Sequence, residues 1–197
     1  MVPGCTSNSP ADPQPIGIVA NVKGFPSVTR SGRTYLLANQ SRIFKGDIIQ
    51  TDRDSMVDVN MIDETRIVLG KESRLVVHEY DYDQGDFFPV AKLFFTAGTI
   101  RVRTENIPRS WFGTFEIRTP LAAVLADRAD FWGSMAAANR LDVGMLEGKH
   151  IEVINEHGSV KVKRNGLTTT ILAGSAPSGA QHWSDRRLKA ILEQIGR

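Results

Sequence analysis

The sequence predicts an all-β domain that ends in one short helix. Three observations lead there: apolar and polar residues alternate with a period of two in run after run, glycine-bearing turns separate the runs, and a 3.6-residue period appears only near the C-terminus. Alternation sends every second side chain to one face, so each run gives one side to a core and leaves the other wet.

Residues 1–15, MVPGCTSNSPADPQP, carry no large apolar side chain after Val2. Ser, Asn, Asp and Pro at this density bury too little surface to offset chain entropy, and the segment reads as a flexible tether. Strands follow from Ile16. Val57, Val59 and Met61 alternate with Asp58 and Asn60, and Asp63-Glu64-Thr65 turns the chain into Arg66-Ile67-Val68-Leu69. The same alternation recurs in Thr99–Arg103, in Phe115 and Ile117 against Glu116 and Arg118, in His150–Val153 and in Val160–Lys163. Ser31-Gly32, Glu156-His157-Gly158 and Asn165-Gly166 mark turns, the last with the residues that a type I′ hairpin requires.

A faint echo runs through the strands: Gly46-Asp47, Gly98 and Gly148 each lead into an alternating run. That fits a twisted, solenoid-like stack with similar corners. A sandwich-like stack with glycine turns fits as well, and periodicity does not choose between them. After the loop 175–179, Ser184 reads as an N-cap and Asp185 suits the positive end of a helix. Leu188, Ile191, Leu192 and Ile195 then form one apolar stripe, and Gly196 closes the helix. Three turns are marginal alone, so the helix docks on its own sheet or on a partner, with its own sheet the plainer expectation. The expected organisation is a tether over 1–15, a β domain over 16–174, and a linker with an amphipathic helix over 175–197.

Composition narrows the function classes. Of 197 residues, 41% are hydrophobic and 23% charged, as in globular domains. A net charge of +2 is too balanced to imply nucleic acid or an anionic membrane as partner. The single cysteine, Cys5, excludes an internal disulfide framework and any multi-cysteine metal site. No apolar run approaches the ~20 residues that cross a bilayer.

The chemistry-bearing residues do not assemble into a known catalytic pattern. There is no G-x-S-x-G, and no glycine-rich phosphate loop precedes a helix. His78, His150, His157 and His182 lack H-x-x-x-H spacing and read as solvated or structural. Asp81-Tyr82-Asp83-Gln84-Gly85-Asp86 begins like a calcium loop. It fails where Gly85 replaces a ligand and Lys92 stands at the bidentate glutamate position, so it reads as an acidic turn. Asp127 with Asp130, or Glu116 with Glu152, could serve as paired carboxylates, but that mechanism depends on a distance the sequence does not carry. No enzyme activity, cofactor or metal is expected. The remaining candidate is a basic, aromatic surface. Arg101, Arg103 and Arg109 lie near Trp111 and Phe112, and Arg118 follows on the next strand. If these strands pair, the arginines share one wet face suited to a protein partner or an acidic polymer. A scattered solvated face is the plainer alternative.

Several segments, in order, resemble a known family. Ile43-Phe-Lys-Gly46-Asp47-Ile48-Ile49-Gln-Thr51 resembles the G-D-x-I-x-T signature of the FecR-like domain of bacterial envelope proteins. Val57–Gly70 is similar to its strand, turn and I-x-L-G step, and Leu93–Val102 to its L-x-x-G-x-I-x-V strand. Phe115–Val124 resembles F-x-I-x-T-P-x-A-x-V, and Leu146-Glu147-Gly148 leading to Val153 resembles L-E-G-x-V-x-V. The resemblance spans about Ile16 to Gly174. One departure is Arg128-Ala129-Asp130, where the family has Arg-Gly-Thr; loss of that glycine puts a close backbone approach at this corner in question. The resemblance is to the β domain alone, without the anti-sigma segment, membrane helix or signalling subdomain of the best-known members.

It implies an extracytoplasmic module of the periplasm or cell envelope, acting by contact rather than chemistry. The expected function is a scaffold or sensor with an envelope protein as partner. A binding module for cell-wall glycan is the alternative, and an envelope hydrolase a remote third. Val2-Pro3-Gly4-Cys5 resembles the end of a bacterial lipoprotein signal, which makes Cys5 a candidate lipidation site and the only expected tie to a membrane. The charged and apolar part of such a signal would precede Val2. The oligomeric state is left open.

Overall fold

The computed structural model describes residues 13–83, 85, 87–110 and 112–195. In chain order the strands are β1 (Gly17–Lys23), β2 (Ser27–Arg30), β3 (Arg33–Leu36), β4 (Arg42–Ile43), β5 (Ile48–Gln50), β6 (Met56–Met61), β7 (Arg66–Leu69), β8 (Arg74–Asp81) and β9 (Val90–Arg103). A 3₁₀ turn at Ile107–Arg109 precedes β10 (Thr114–Arg118), β11 (Ala123–Ala137), β12 (Arg140–Asn155), β13 (Gly158–Val162), β14 (Leu167–Leu172) and β15 (Gln181–His182). The helix α1 (Asp185–Gln194) comes last. The fold is all β with one C-terminal helix. Among the described residues the fifteen strands form one hydrogen-bonded sheet.

Three long strands shape it. The first half of β9 pairs with β8 and β10, whereas its second half pairs with β7 and β11. β11 likewise pairs with β10 through Ala123–Leu125 and with β9 through Asp130–Met135. β12 meets β14 with its first part and β13 with its last. The sheet thus bends over itself around one core. Inward side chains continue across strands, as in the row Val77–Leu93–Ile117–Val124–Val153, all buried.

Each fold-over has a local cause. In β9 it is Gly98, at φ +86°; a Cβ there would sit 2.3 Å from Ser73 Oγ and 2.4 Å from Ser73 Cα. Ser73 fastens the corner, since its hydroxyl accepts from Thr99 N and donates to Thr99 O, both at 3.0 Å. The bend returns Arg103 to the end of the molecule where Val90 began. Residues 104–113 can therefore deliver β10 parallel to β9, although parallel neighbours ordinarily need a longer crossover.

β11 and β12 turn together at Arg128 and Gly148. A Cβ on Gly148, which has φ +115°, would lie 2.1 Å from Arg128 O. The departure from Arg-Gly-Thr therefore does not abolish the close approach: Gly148 on the neighbouring strand gives the room, and Arg128 adopts φ +48° despite its side chain.

The helix packs on the outside of the β7–β9–β11–β12 layer. Val68, Trp132 and Ile195 are buried there, with Leu188, Ile191 and Leu192 half-buried against them. Trp132 lies flat on Gly144, and Trp183 stands 4.9 Å from it. Thr99 donates to Gln194 Oε1 at 2.8 Å. Ser184 is the N-cap with an extended backbone, but its side chain makes no capping bond. Gly196 lies outside the described residues.

Gly148→Ala is expected to cost at least ~3 kcal/mol, because it adds both a backbone clash and a strained φ. Arg128→Gly should be neutral or stabilising by up to ~1 kcal/mol, since it removes the left-handed penalty at the same corner. Urea denaturation of the two variants checks the contrast.

Candidate functional site

Hydrogen-bond register places the candidate residues on two different outer faces. On the first, Asp58, Val68, Arg101, Trp132 and Gly144 form one cross-strand row, and Asn60, Arg66, Arg103, Asp130 and Glu147 the next. α1 covers Val68 and Trp132. Beside it, Arg66 forks onto Asp58, with its Nη2 2.5 Å from Oδ2. Arg101 forks onto Asp130 at 2.9 and 2.6 Å. The bond to Asp130 outweighs burial and holds the Arg101 guanidinium even more firmly protonated than usual. With its side chain only 18% exposed, Arg101 is a clamp between β9 and β11. Arg103, 65% exposed, leans on Glu105 at 3.2 Å and is open to water.

Arg118 is not with them. β10 pairs with β9 only along Val90–Phe94, so Arg118 sits beside Phe94 on the second outer face. The expected single arginine face is thereby corrected: the bend at Gly98 separates Arg101 and Arg103 from Arg118. The side chain of Arg109, and Trp111 and Cys5 entirely, lie outside the described residues.

The second face has a different make-up. Ile48, Val76, Phe94, Arg118, Ala123 and Ile154 follow one another across β5, β8, β9, β10, β11 and β12. All but Arg118 are apolar; Phe94 is 38% exposed and the others half-buried. The next row reads Lys92, Glu116, Leu125, Glu152 and Lys161. Its charges are matched nearby: Lys92–Glu79 at 2.7 Å, Arg118–Glu116 at 2.8 Å and Lys161–Glu152 at 3.3 Å. Val76, His78, Phe94 and Arg118 line a shallow groove of about 360 Å³. At the far end Asp127 bonds Lys149 and faces His150 at 3.6 Å. Partial burial opposes ionisation of Asp127, yet the Lys149 and His150 charges hold its carboxyl below the usual range. Burial pushes the His150 imidazole down, against the pull of Asp127.

The carboxylate pairs weighed from the sequence are not set up alike. Asp127 is held by Lys149, whereas Asp130 is held by Arg101. Glu116 and Glu152 flank Leu125, two strand spacings or ~10 Å apart, and each has its own cation. Asp81 of the acidic turn stands 3.6 Å from Lys45, while Gln84 and Asp86 lie outside the described residues. Among the described residues no three His, Cys, Asp or Glu side chains converge as for a metal.

The motif residues are structural. Asp47, fully buried, takes both arms of Arg30 at 2.7 Å and the Phe44 amide at 2.8 Å, with the guanidinium 4.1 Å over the Phe44 ring. Thr51 donates to Gly70 O and accepts from Ser73 N. Asp63, also fully buried, accepts from Tyr80 Oη at 2.5 Å, Thr65 Oγ1 at 2.7 Å and Ile107 N at 3.3 Å. It ties β8 and the β6–β7 turn to the 3₁₀ turn. Burial foremost, then the Asp63 charge, raises the Tyr80 phenol well above its ordinary value of 10.

The second face was missed in the sequence because Leu93-Phe94-Phe95 is an unbroken apolar run that hides which side is outward. Carrying the 92, 94 alternation through from Lys92 would have found it.

The family described as FecR protein matches residues 47–161. No curated protein matches. Two crystal structures from Parabacteroides distasonis, at 1.65 and 2.50 Å and each described as a "putative anti-sigma factor", superpose with a TM-score of 0.57 at 14% identity. The overlap covers 74% of this chain and 64% and 63% of theirs, so this chain spans less than two thirds of those proteins. At that identity the likeness is one of fold.

Arg101→Ala should cost about 2–3 kcal/mol by stranding Asp130, and Arg103→Ala under ~1 kcal/mol, as read by denaturant melts. Because the folded Tyr80 holds its proton beyond pH 10, stability should fall as pH rises past about 10. Tyr80→Phe should flatten that decline in melts taken from pH 8 to 11.

Proposed function

The chain belongs to the FecR family, and from that premise we propose that it is a non-enzymatic binding module of the cell envelope, a scaffold or sensor that works through protein–protein contact. The observation that carries this reading is the row Val76–Phe94–Arg118–Ala123–Ile154 on an open sheet face, apolar but for Arg118, with its charge and those of the next row already matched within the chain. Interfaces have this anatomy, with an apolar centre and a polar rim that keeps its bonds when water leaves. The Phe94–Arg118 pair supplies the aromatic and guanidinium that dominate contact energies. Arg103 remains available on the opposite face, whereas Arg101 serves the fold.

A regulatory role in signalling agrees with the family and with the description of the two Parabacteroides proteins. An extracytoplasmic setting is what the family implies, and a lipid on Cys5 would hold the module at a membrane. Contact rather than catalysis is supported by the commitment of Asp127, Asp130, Glu116 and Glu152 to neighbouring cations.

A photo-crosslinker at position 94 should capture one envelope protein in native cells, and the same probe at the exposed Arg53 should not. Phe94→Glu should abolish binding of the captured protein to purified module while leaving the melting temperature within a few degrees. Crosslinks to glycan fragments instead would replace the protein-contact reading with the polymer-binding one.

A further inference from the structure

Strand β3 is an open edge. It pairs with β2 alone, and its other side meets no strand among the described residues. The hairpin that carries it turns on Ser31 and Gly32, at φ +50° and +76°, so a two-residue turn sets its register. Arg30 and Arg33 close that turn, and further along Leu37 N donates to Pro26 O. Between them the Thr29 and Thr34 hydroxyls stand 2.9 Å apart, as side chains do in the close, non-hydrogen-bonded pairs of an antiparallel ladder. The alternation therefore turns the backbone of Arg33, Tyr35 and Leu37 towards β2. It aims the amides and carbonyls of Thr34 and Leu36 away from it.

Edges of this kind are ordinarily blunted by charge, proline or a bulge. Here Tyr35 and Leu36 are 49% and 69% exposed. Both line a cleft of about 340 Å³ beside the strand, with Phe44, Arg30 and Arg42. From Pro13 to Gly46 the chain carries Lys23, Arg30, Arg33, Arg42 and Lys45 and no acid. Asp47 is fully buried and committed to Arg30, and Lys45 leans on Asp81. Arg33 and Arg42 are exposed, with no carboxylate partner among the described residues.

We propose that β3 takes up an extended acidic segment of a partner protein as an added strand, which pairs with Thr34 and Leu36 while its carboxylates meet Arg33 and Arg42. Open backbone groups call for a peptide, because a nucleic acid or a glycan has no ladder to offer. The unmatched arginines call for acids on that peptide. Charge also argues against a second copy of this chain as the occupant, since β3 laid against β3 doubles the unmatched positive charge along the seam. Through Thr29, Ile48 and Val76 the Thr34 row continues to Phe94, so the added strand would widen the same open sheet. The edge shares no residue with the Phe94 groove and stands or falls separately from it.

The test is fluorescence anisotropy of a dye-labelled, amidated octapeptide alternating Glu and Val, titrated with the full-length protein. Binding is expected at a Kd of about 100 μM or tighter. The counterpart peptide with Gln for Glu should bind about 10-fold more weakly, and Arg33→Gln/Arg42→Gln should weaken the acidic peptide about 10-fold. Leu36→Pro removes an outward amide that the β2–β3 ladder does not use, so it should abolish binding while the melting temperature stays within a few degrees. N-methylation of the peptide backbone should abolish binding as well, which keeps the test valid if Leu36→Pro does not fold. Phe94→Glu should bind the peptide like wild type. No binding at about 1 mM protein, equal binding of the Gln peptide, or binding that survives both Leu36→Pro and backbone methylation would each overturn the proposal.

Discussion

The bend in β9 governs this architecture. Gly98 can sit against the Ser73 backbone only because it has no side chain, and the Ser73 hydroxyl satisfies both the amide and the carbonyl of Thr99 where the ladder would otherwise break. Once β9 doubles back, its two halves pair with different strands. The ten residues after it can lay β10 alongside its start, and β11 must bridge β10 to the far half of β9. The arginines of β9 and β10 then part company. The two outer faces inherit their positions from that corner.

The residues that identify the family serve the frame. Asp47 fixes the turn before β5, Thr51 stitches two turns near the Gly98 corner, and Asp63 joins β8 to the 3₁₀ turn. Buried carboxylates with every near donor supplied are costly to alter, whereas an outward row such as Val76–Phe94–Ile154 can change without disturbing them. A fold kept at 14% identity is what such a division of labour allows.

Strand positions from Val57 onward, the hairpin turns at Ser31-Gly32 and Glu156-His157-Gly158 and the helix stripe were legible because alternation and turn chemistry are local. Asn165-Gly166 does not close the expected type I′ hairpin, since Asn165 lacks the positive φ and β13 and β14 both pair with β12 instead of with each other. The corners were half legible: glycine before a strand marked Gly98 and Gly148, but nothing local says that Arg128 would take a left-handed conformation. The split of the arginines could not be read, because it depends on pairing across residues far apart in sequence. Arg101 looked like a contact residue for a related reason: its partner Asp130 is 29 residues away.

Sharing β9, β11 and β12 among different partners also governs how the chain comes to exist at all. Neither half of the sheet can complete its ladder without the other, so half of the module has no independent existence, and assembly must be close to all-or-none. The pairings that close it join distant segments, Val57 with Val22 and Asp130 with Arg103 among them, which places the chain among slow-folding topologies. Until Gly98 turns, long apolar strands stand with open edges. A protein of this design would need shelter from its own kind during that interval, and afterwards would resist piecemeal fraying.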